Sequence, residues 1–274
     1  MPRTPPHAAM RTVSSRQNPA VVACRTLAHQ PDPAGARLLL DGIHLVTEAH
    51  LGRLEFEMLA VDHTLLTGTT REDRLARTLA DDGVDVLAVS GDVLAAMSPV
   101  RTPSGMVAIV KRLPATVDEV CAPLQALVLA LADVQDPGNL GALLRVAEAG
   151  AAAGVLVCGS SANPSGWKTV RGSMGSILRL PTAHAGATRA TFDYVRSLGL
   201  RSIAAVPRGG APPDALDWSG RVVLWLGGEG PGLSDDLVDA CDARVSVPMA
   251  APVESLNVAV AGGILLYAAG RARA

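Results

Sequence analysis

Val222-Val223-Leu224-Trp225-Leu226, running into Gly227-Gly228-Glu229-Gly230-Pro231-Gly232, is the stretch on which the reading of this 274-residue chain turns. Five apolar residues without a charge predict a strand buried on both faces, and the glycine run predicts an abrupt turn at its carboxyl end. About a dozen residues later a second apolar segment, Val245-Ser246-Val247-Pro248-Met249, ends in the turn Ala250-Ala251-Pro252-Val253. An almost uncharged helix then begins Glu254-Ser255-Leu256-Asn257 and runs to Tyr267. Two strands therefore deliver two loops, and the second loop opens onto a helix. Ligands of open α/β sheets bind beyond the carboxyl ends of strands, so a small molecule is expected here.

A dinucleotide fingerprint would need glycines at i, i+2 and i+5. From Gly228 and Gly230 the third position is Leu233, and from Gly230 and Gly232 it is Asp235. Glu229 inside the loop would also repel a pyrophosphate, and fewer than 50 residues follow, too few for the rest of a nucleotide-binding half. The dinucleotide reading is rejected. Two readings stay open: a loop suited to a ligand with hydroxyl or ammonium donors, and a tight turn that needs glycine for positive φ.

The rest of the chain alternates short strands and helices. Residues 1–13 hold three prolines and no period, which predicts a flexible arm. Strands are expected at 37–40, 57–61, 84–89 and 106–110, with helices from Pro19, through His50 and over 71–81, making a small α/β domain over 14–110. The aperiodic, proline-bounded segment 111–124 is a candidate linker. Over 125–274 strands are expected at 127–131, 155–158, 178–181, 203–206, 222–226 and 245–247, with helices between them. That order predicts an α/β fold with a covered parallel sheet.

Composition narrows the function. The chain is 49% apolar and 18% charged, hence globular, with 3% aromatic residues, so Val, Leu and Ala must fill its core. No apolar run reaches the roughly 18 to 20 residues that span a bilayer. The proline-rich N-terminus does not read as a secretory signal. Cys24, Cys121, Cys158 and Cys241 lie far apart without a CxxC pair, so neither disulfides nor a zinc site is expected, and reduced cytoplasmic thiols are. A net charge of −2 makes any nucleic-acid surface a local one.

Two further clusters carry chemistry. In Asp136-Pro137-Gly138-Asn139 turn residues precede a helix expected over 140–149, and Asn139 could be its cap. Arg145 stands between Leu144 and Val146 on that apolar helix, either snorkelling to the surface or buried and paired. Ser255 could cap the last helix, with Asn257 an unfavourable helix former in its first turn. The run 258–266 is apolar all round, as in a helix buried in a core or a subunit interface.

Taken in order, these clusters resemble the SpoU-like (TrmH-type) RNA 2′-O-ribose methyltransferases of the SPOUT class. Asp136-Pro137-Gly138-Asn139-Leu140-Gly141 through Arg145 is similar to that family's first motif. Leu226-Gly227-Gly228-Glu229-Gly230-Pro231-Gly232-Leu233-Ser234 is similar to its second. Val247-Pro248-Met249 with Glu254-Ser255-Leu256-Asn257-Val258-Ala259-Val260-Ala261 is similar to its third. Val146 departs from the small polar residue often found there. Before the linker, Ser15-Arg16-Gln17-Asn18-Pro19, Leu39-Leu40-Asp41-Gly42 and the segment 98–105 resemble the family's substrate-binding domain, with Asp41 where glutamate is common.

The resemblance implies a C-terminal trefoil knot, a homodimer, S-adenosyl-L-methionine as methyl donor and no metal. It places Arg145 beside the RNA 2′-hydroxyl, supported by Asn139, Glu229, Ser255 and Asn257. The donor would rest against Leu226, Gly227, Gly228, Gly230, Val247, Met249 and Leu256, and RNA against Arg16, Arg25, Arg101 and Arg171. Arginine is a poor general base; whether Arg145 acts as base, stabilises an alkoxide or binds a phosphate is left open. The RNA expected is large-subunit (23S) ribosomal RNA, with transfer RNA as the alternative. A catalytically silent RNA-binding protein and a methyltransferase for small molecules or proteins are the competing readings.

Overall fold

A computed structural model of the chain describes residues 10–273 and divides them into two compact units. The first extends to Leu113 and includes Ser165–Arg171. Its elements are β1 (Arg11–Val13), α1 (Pro19–His29), β2 (Arg37–Asp41), α2 (Ile43–Leu51), β3 (Glu55–Asp62), α3 (Arg71–Asp81), β4 (Val86–Val89), α4 (Gly91–Met97) and β5 (Met106–Lys111). They form a mixed sheet of order β1-β4-β3-β5-β2, in which β5 runs antiparallel to both neighbours. Val21, Cys24 and Leu27 of α1 pack with Val93, Leu94 and Met97 of α4 in one core on this sheet. Part of the segment read as an arm is strand: Val13 is buried and pairs with Val89. The remainder of that expectation, 1–9, lies outside the described residues.

The second unit runs over Pro114–Pro164 and from Gly172 onward. It contains α5 (Val117–Cys121), β6 (Leu127–Ala132), α6 (Pro137–Ala149), β7 (Gly154–Cys158), then, after α7 (Trp167–Gly172), β8 (Thr182–Gly186), α8 (Thr188–Ser197), β9 (Arg201–Ala205), β10 (Val222–Gly227), α9 (Asp235–Ala240), β11 (Ala243–Val245) and α10 (Val258–Arg273). All six strands are parallel, in the order β11-β9-β10-β6-β7-β8. Every residue of β6 and β7 is buried, which is why these strands read as unbroken apolar runs. Trp225 of β10 meets Phe192 of α8 with ring centroids 5.5 Å apart.

Four local expectations change. The segment read as a linker holds α5, closed by a reciprocal cap between Thr116 and Glu119, and its Val120 and Cys121 sit in the second unit's core. The strand expected at 178–181 is a 3-10 turn, Ser176–Leu178, because Met174 and Gly175 take left-handed conformations. Pro181 has no N–H for a ladder, so the strand begins at Thr182. Helix α6 starts at Pro137, because Asp136 caps it and Pro137 suits its first turn. Helix α10 starts only at Val258, because the Asn257 side chain takes the Ala259 and Val260 N–H groups and closes the helix there.

Among the described residues no helix is long and apolar enough to cross a membrane. All four cysteines are free, three of them buried and Cys241 half-buried. Burial pushes the Cys24 and Cys158 thiols up to about 12 and those of Cys121 and Cys241 up to about 11. The reactive species is the thiolate, so these groups are neutral and inert at pH 8. Iodoacetamide at that pH is expected to label none of them within minutes in the native protein and all four after denaturation; rapid native labelling would contradict this packing.

Candidate functional site

The carboxyl ends of β9, β10 and β11 surround a cavity of about 370 Å³ in the second unit. Its walls come from the loops after these strands and from the near face of α10, through Val258, Ala261 and Leu265. Leu226, Gly227, Gly228, Gly230, Val247, Met249 and Leu256, the residues expected to hold the donor, all line it, as do Glu229, Ser255 and Asn257. The size is that of an ordinary small-molecule site, about 300–1,000 Å³. Apolar side chains and glycine backbone dominate the lining, with polar side chains concentrated at Glu229, Ser255 and Asn257.

The glycines have two separate jobs. Gly230 and Gly232 have φ of +100° and +69°, conformations that L side chains rarely adopt. Gly227 and Gly228 serve close approach: a Cβ on Gly228 would lie 1.8 Å from the Asp133 carbonyl oxygen, and one on Gly227 2.2 Å from the Gly232 carbonyl carbon. Gly262 does the same for α10, where a Cβ would lie 2.5 Å from Leu143 Cδ2 and 2.9 Å from Leu226 Cδ1. The turn therefore needs its glycines and also walls the cavity.

Asn139 is not the cap of α6. Asp136 accepts the Asn139 backbone N–H at 2.8 Å, which leaves the Asn139 side chain free for other partners. Its Nδ2 donates to Glu229 Oε1, and its Oδ1 accepts from Asn257 Nδ2 at 3.0 Å. Asn257 Oδ1 in turn accepts the Ala259 and Val260 N–H groups at 2.9 and 3.3 Å. One hydrogen-bonded row, Asn257 to Asn139 to Glu229, thus runs across the cavity mouth from three separate loops. Its polarity is dictated at one end: the helix N–H groups fix which way the Asn257 amide faces, and each following amide must comply.

Ser255 lines the cavity but does not cap α10. Arg145 lies apart from this group. It is exposed on α6, six residues beyond Asn139 and so about a third of a turn round the helix, and does not line the cavity. It has no hydrogen-bond or ion-pair partner among the described residues. In the first unit Arg16, after β1, and Arg101, before the antiparallel β5, follow from and lead into the same end of the strands of the five-stranded sheet. The Arg101 loop is pinned there by Asp41, whose carboxylate accepts Ser98 Oγ at 2.6 Å and Ser104 Oγ at 3.0 Å. Arg25 is exposed on α1 and Arg171 on α7. Among the described residues no group of three or more His, Cys, Asp or Glu side chains is placed to hold a metal ion. The row across the mouth had one trace in the sequence, the asparagines at 139 and 257 on apolar helices. The bond between them had none.

Residues 126–267 match the model of the SpoU rRNA Methylase family. A tRNA/rRNA methyltransferase of Synechocystis sp., itself described as uncharacterized, is 34% identical over 267 residues, covering 95% of this chain and 93% of its own. The AdoMet-bound rRNA methyltransferase of Sinorhizobium meliloti superposes with a TM-score of 0.82 at 28% identity, over 96% of this chain and 98% of that one. A solved RNA 2′-O ribose methyltransferase superposes with a TM-score of 0.78 at 27% identity, over 96% of this chain and 99% of that one.

The two residues at the start of α6 should separate on mutation. Asp136→Ala removes a helix cap and is expected to cost about 1 kcal/mol of unfolding free energy. Asn139→Ala leaves that cap intact and is expected to stay within about 0.5 kcal/mol of the parent. Urea titration of both variants checks this; a larger loss for Asn139→Ala would make that side chain a structural one.

Proposed function

Because the chain belongs to the SpoU rRNA methylase family, we propose that it transfers a methyl group from S-adenosyl-L-methionine to a ribose 2′-hydroxyl of RNA, with large-subunit ribosomal RNA favoured over transfer RNA. The observation that carries this is the Asn257–Asn139–Glu229 row at the mouth of the cavity. The cavity fits the donor chemically. Leu226, Val247, Met249 and Leu256 offer apolar surface to a purine, glycine backbone offers polar groups, and Glu229 offers a carboxylate near a sulfonium cation. Whole-length likeness to a ribosomal RNA methyltransferase supports the choice of RNA.

The donor supplies an electrophilic methyl carbon whose leaving group is a neutral thioether. What remains for the protein is to align a weakly acidic hydroxyl and to meet the charge that develops on its oxygen. Glu229 has one carboxylate oxygen engaged by Asn139, and the other can accept the hydrogen bond of the 2′-hydroxyl, fixing the direction of its lone pair and taking the proton as the oxygen is methylated. Ser255, on the same wall, can hold the ribose. Arg145, exposed on α6 outside the cavity lining and free of any partner among the described residues, is the permanent positive charge available to the developing alkoxide or the neighbouring phosphate. Arg16 and Arg101 at one end of the first unit's strands, with Arg25 and Arg171, bind the RNA backbone.

A homodimer belongs to this reading. Val260, Ile264 and Tyr267 are 52%, 40% and 66% exposed along α10, on positions that recur at helical spacing and so form an apolar stripe. The opposite side of the same helix lines the cavity, so a second copy seated on the stripe would fix the helix that shapes the site. The tight passages at Gly227, Gly228 and Gly262 suit a knotted path for the last helix. Buried free thiols suit a reducing cytoplasm.

Mapping 2′-O-methyl groups in ribosomal and transfer RNA from cells with and without the gene tests the reading. Loss of one site in large-subunit ribosomal RNA is expected; loss confined to transfer RNA would move the target, and no loss would contradict the reaction. Arg145→Ala is expected to bind the donor within about twofold of the parent and to lose at least a hundredfold in turnover on RNA, about 2.7 kcal/mol of transition-state stabilisation. Turnover within a few-fold of the parent would remove Arg145 from the mechanism.

A further inference from the structure

We propose that Arg208 holds the carboxylate of the methyl donor's amino-acid half, an inference that rests on the donor assigned above. Among the described residues that line the cavity there is no Lys, Arg or His, while Glu229 lines it and Glu254 is next in sequence to the lining Ser255. The amino-acid end of the donor pairs an ammonium with a carboxylate; Glu229 and Glu254 suit the ammonium, and the ligand carboxylate is left needing a cation. Arg208 follows Pro207, which lines the cavity.

The loop that carries Arg208 is built to present it. Ser246, 9% exposed, donates its hydroxyl to the Val206 carbonyl at 2.9 Å and accepts the Gly210 N–H at 2.9 Å. One buried hydroxyl thus closes the neck of the five-residue loop 206–210, with Arg208 at its middle. Ala211 continues the closure by pairing with Val245, its N–H reaching the Arg244 carbonyl at 2.9 Å and its carbonyl accepting the Ser246 N–H at 3.0 Å. A Cβ on Gly210 would lie 2.5 Å from the Val245 carbonyl carbon, so the neck also demands glycine.

The partner of Arg208 within the chain is weak. Its guanidinium lies 4.0 Å from Glu254, the neighbour of the lining Ser255, and the two side chains are 70% and 85% exposed. A stretched pair in water contributes little, and a ligand carboxylate can replace it with two parallel N–H···O bonds. Glu254 thereby keeps the guanidinium near the mouth until a better acceptor arrives.

Calorimetry with two probes isolates this contact. S-Adenosylhomocysteine carries the amino-acid half and is not turned over, whereas 5′-methylthioadenosine lacks that half. Arg208→Gln is expected to weaken S-adenosylhomocysteine about three- to tenfold while leaving 5′-methylthioadenosine, RNA binding and thermal unfolding unchanged. Glu254→Gln, which removes the competing acceptor, should bind S-adenosylhomocysteine at least as tightly as the parent. Parallel weakening of both probes, no weakening of either, or a loss of RNA affinity alone would overturn the assignment, the last transferring Arg208 to a phosphate. Failure of the parent protein to bind either probe would overturn the donor itself, a result distinct from parental binding that Arg208→Gln leaves unaltered.

Discussion

The site depends on three stretches of backbone that pass one another with no room for side chains. Gly228, leaving β10, lies so close to the Asp133 carbonyl that no Cβ fits between them, and Gly227 is pressed in the same way against Gly232 and Leu233. Strands β6 and β10 are neighbours in register from Val222 opposite Leu127 to Gly227 opposite Ala132, so both chains must turn at the same level of the sheet. Asp133 makes its turn with φ of +59°, a conformation rare for a side chain with a Cβ, and its carboxylate accepts the Ser160 N–H at 2.7 Å. That strained residue ties the loop after β6 to the loop after β7 and sends the chain into α6 beside the glycine turn.

From this crossing the polar row at the mouth follows. Asp136 takes over the capping of α6, so Asn139 has its whole side chain to spend on Glu229 and Asn257. Asn257 caps α10 and bonds Asn139 with opposite ends of one amide. The start of each helix is thus coupled to the loop that walls the cavity. One cap, one further asparagine and one carboxylate make a single ordered unit, and the cavity behind it is shaped by α10, whose Gly262 lets Leu143 and Leu226 close in. Function and folding share the same hydrogen bonds here, which is why Asn257 cannot be assigned to one alone.

Much of this was legible from residue order. The unbroken apolar runs of β6, β7 and β10 announced a parallel sheet, and 71–81 read as the helix it is, because Thr70 caps it and its apolar positions recur on one face. The residues expected to hold the donor all line one cavity, since the resemblance ties them to strand ends. What was not legible concerns partners. Asn139 reads as a cap from its spacing alone, and only the position of Asp136 three residues earlier, with its oxygen on the Asn139 N–H, shows otherwise. Ser255 and Asn257 are two residues apart and both are common caps; the Asn257 side-chain oxygen on the Ala259 and Val260 N–H groups decides it. Pro181 and the left-handed pair Met174 and Gly175 displaced a strand because their effect lies in the backbone, not in hydrophobic period. Arg145 is the remaining separation: order in the chain sets it beside Asn139, while the helix turns it to another face.

The chemistry assigned to the cavity is tested most directly by the product. Purified protein, S-adenosyl-L-methionine labelled in its methyl group and RNA from cells lacking the gene are incubated, and the RNA is then hydrolysed in alkali. A methylated 2′-oxygen cannot attack the adjacent phosphodiester, so the account predicts label in alkali-resistant dinucleotides from ribosomal RNA. Label recovered in mononucleotides would mean methylation of a base, and no label in any RNA would contradict the reaction.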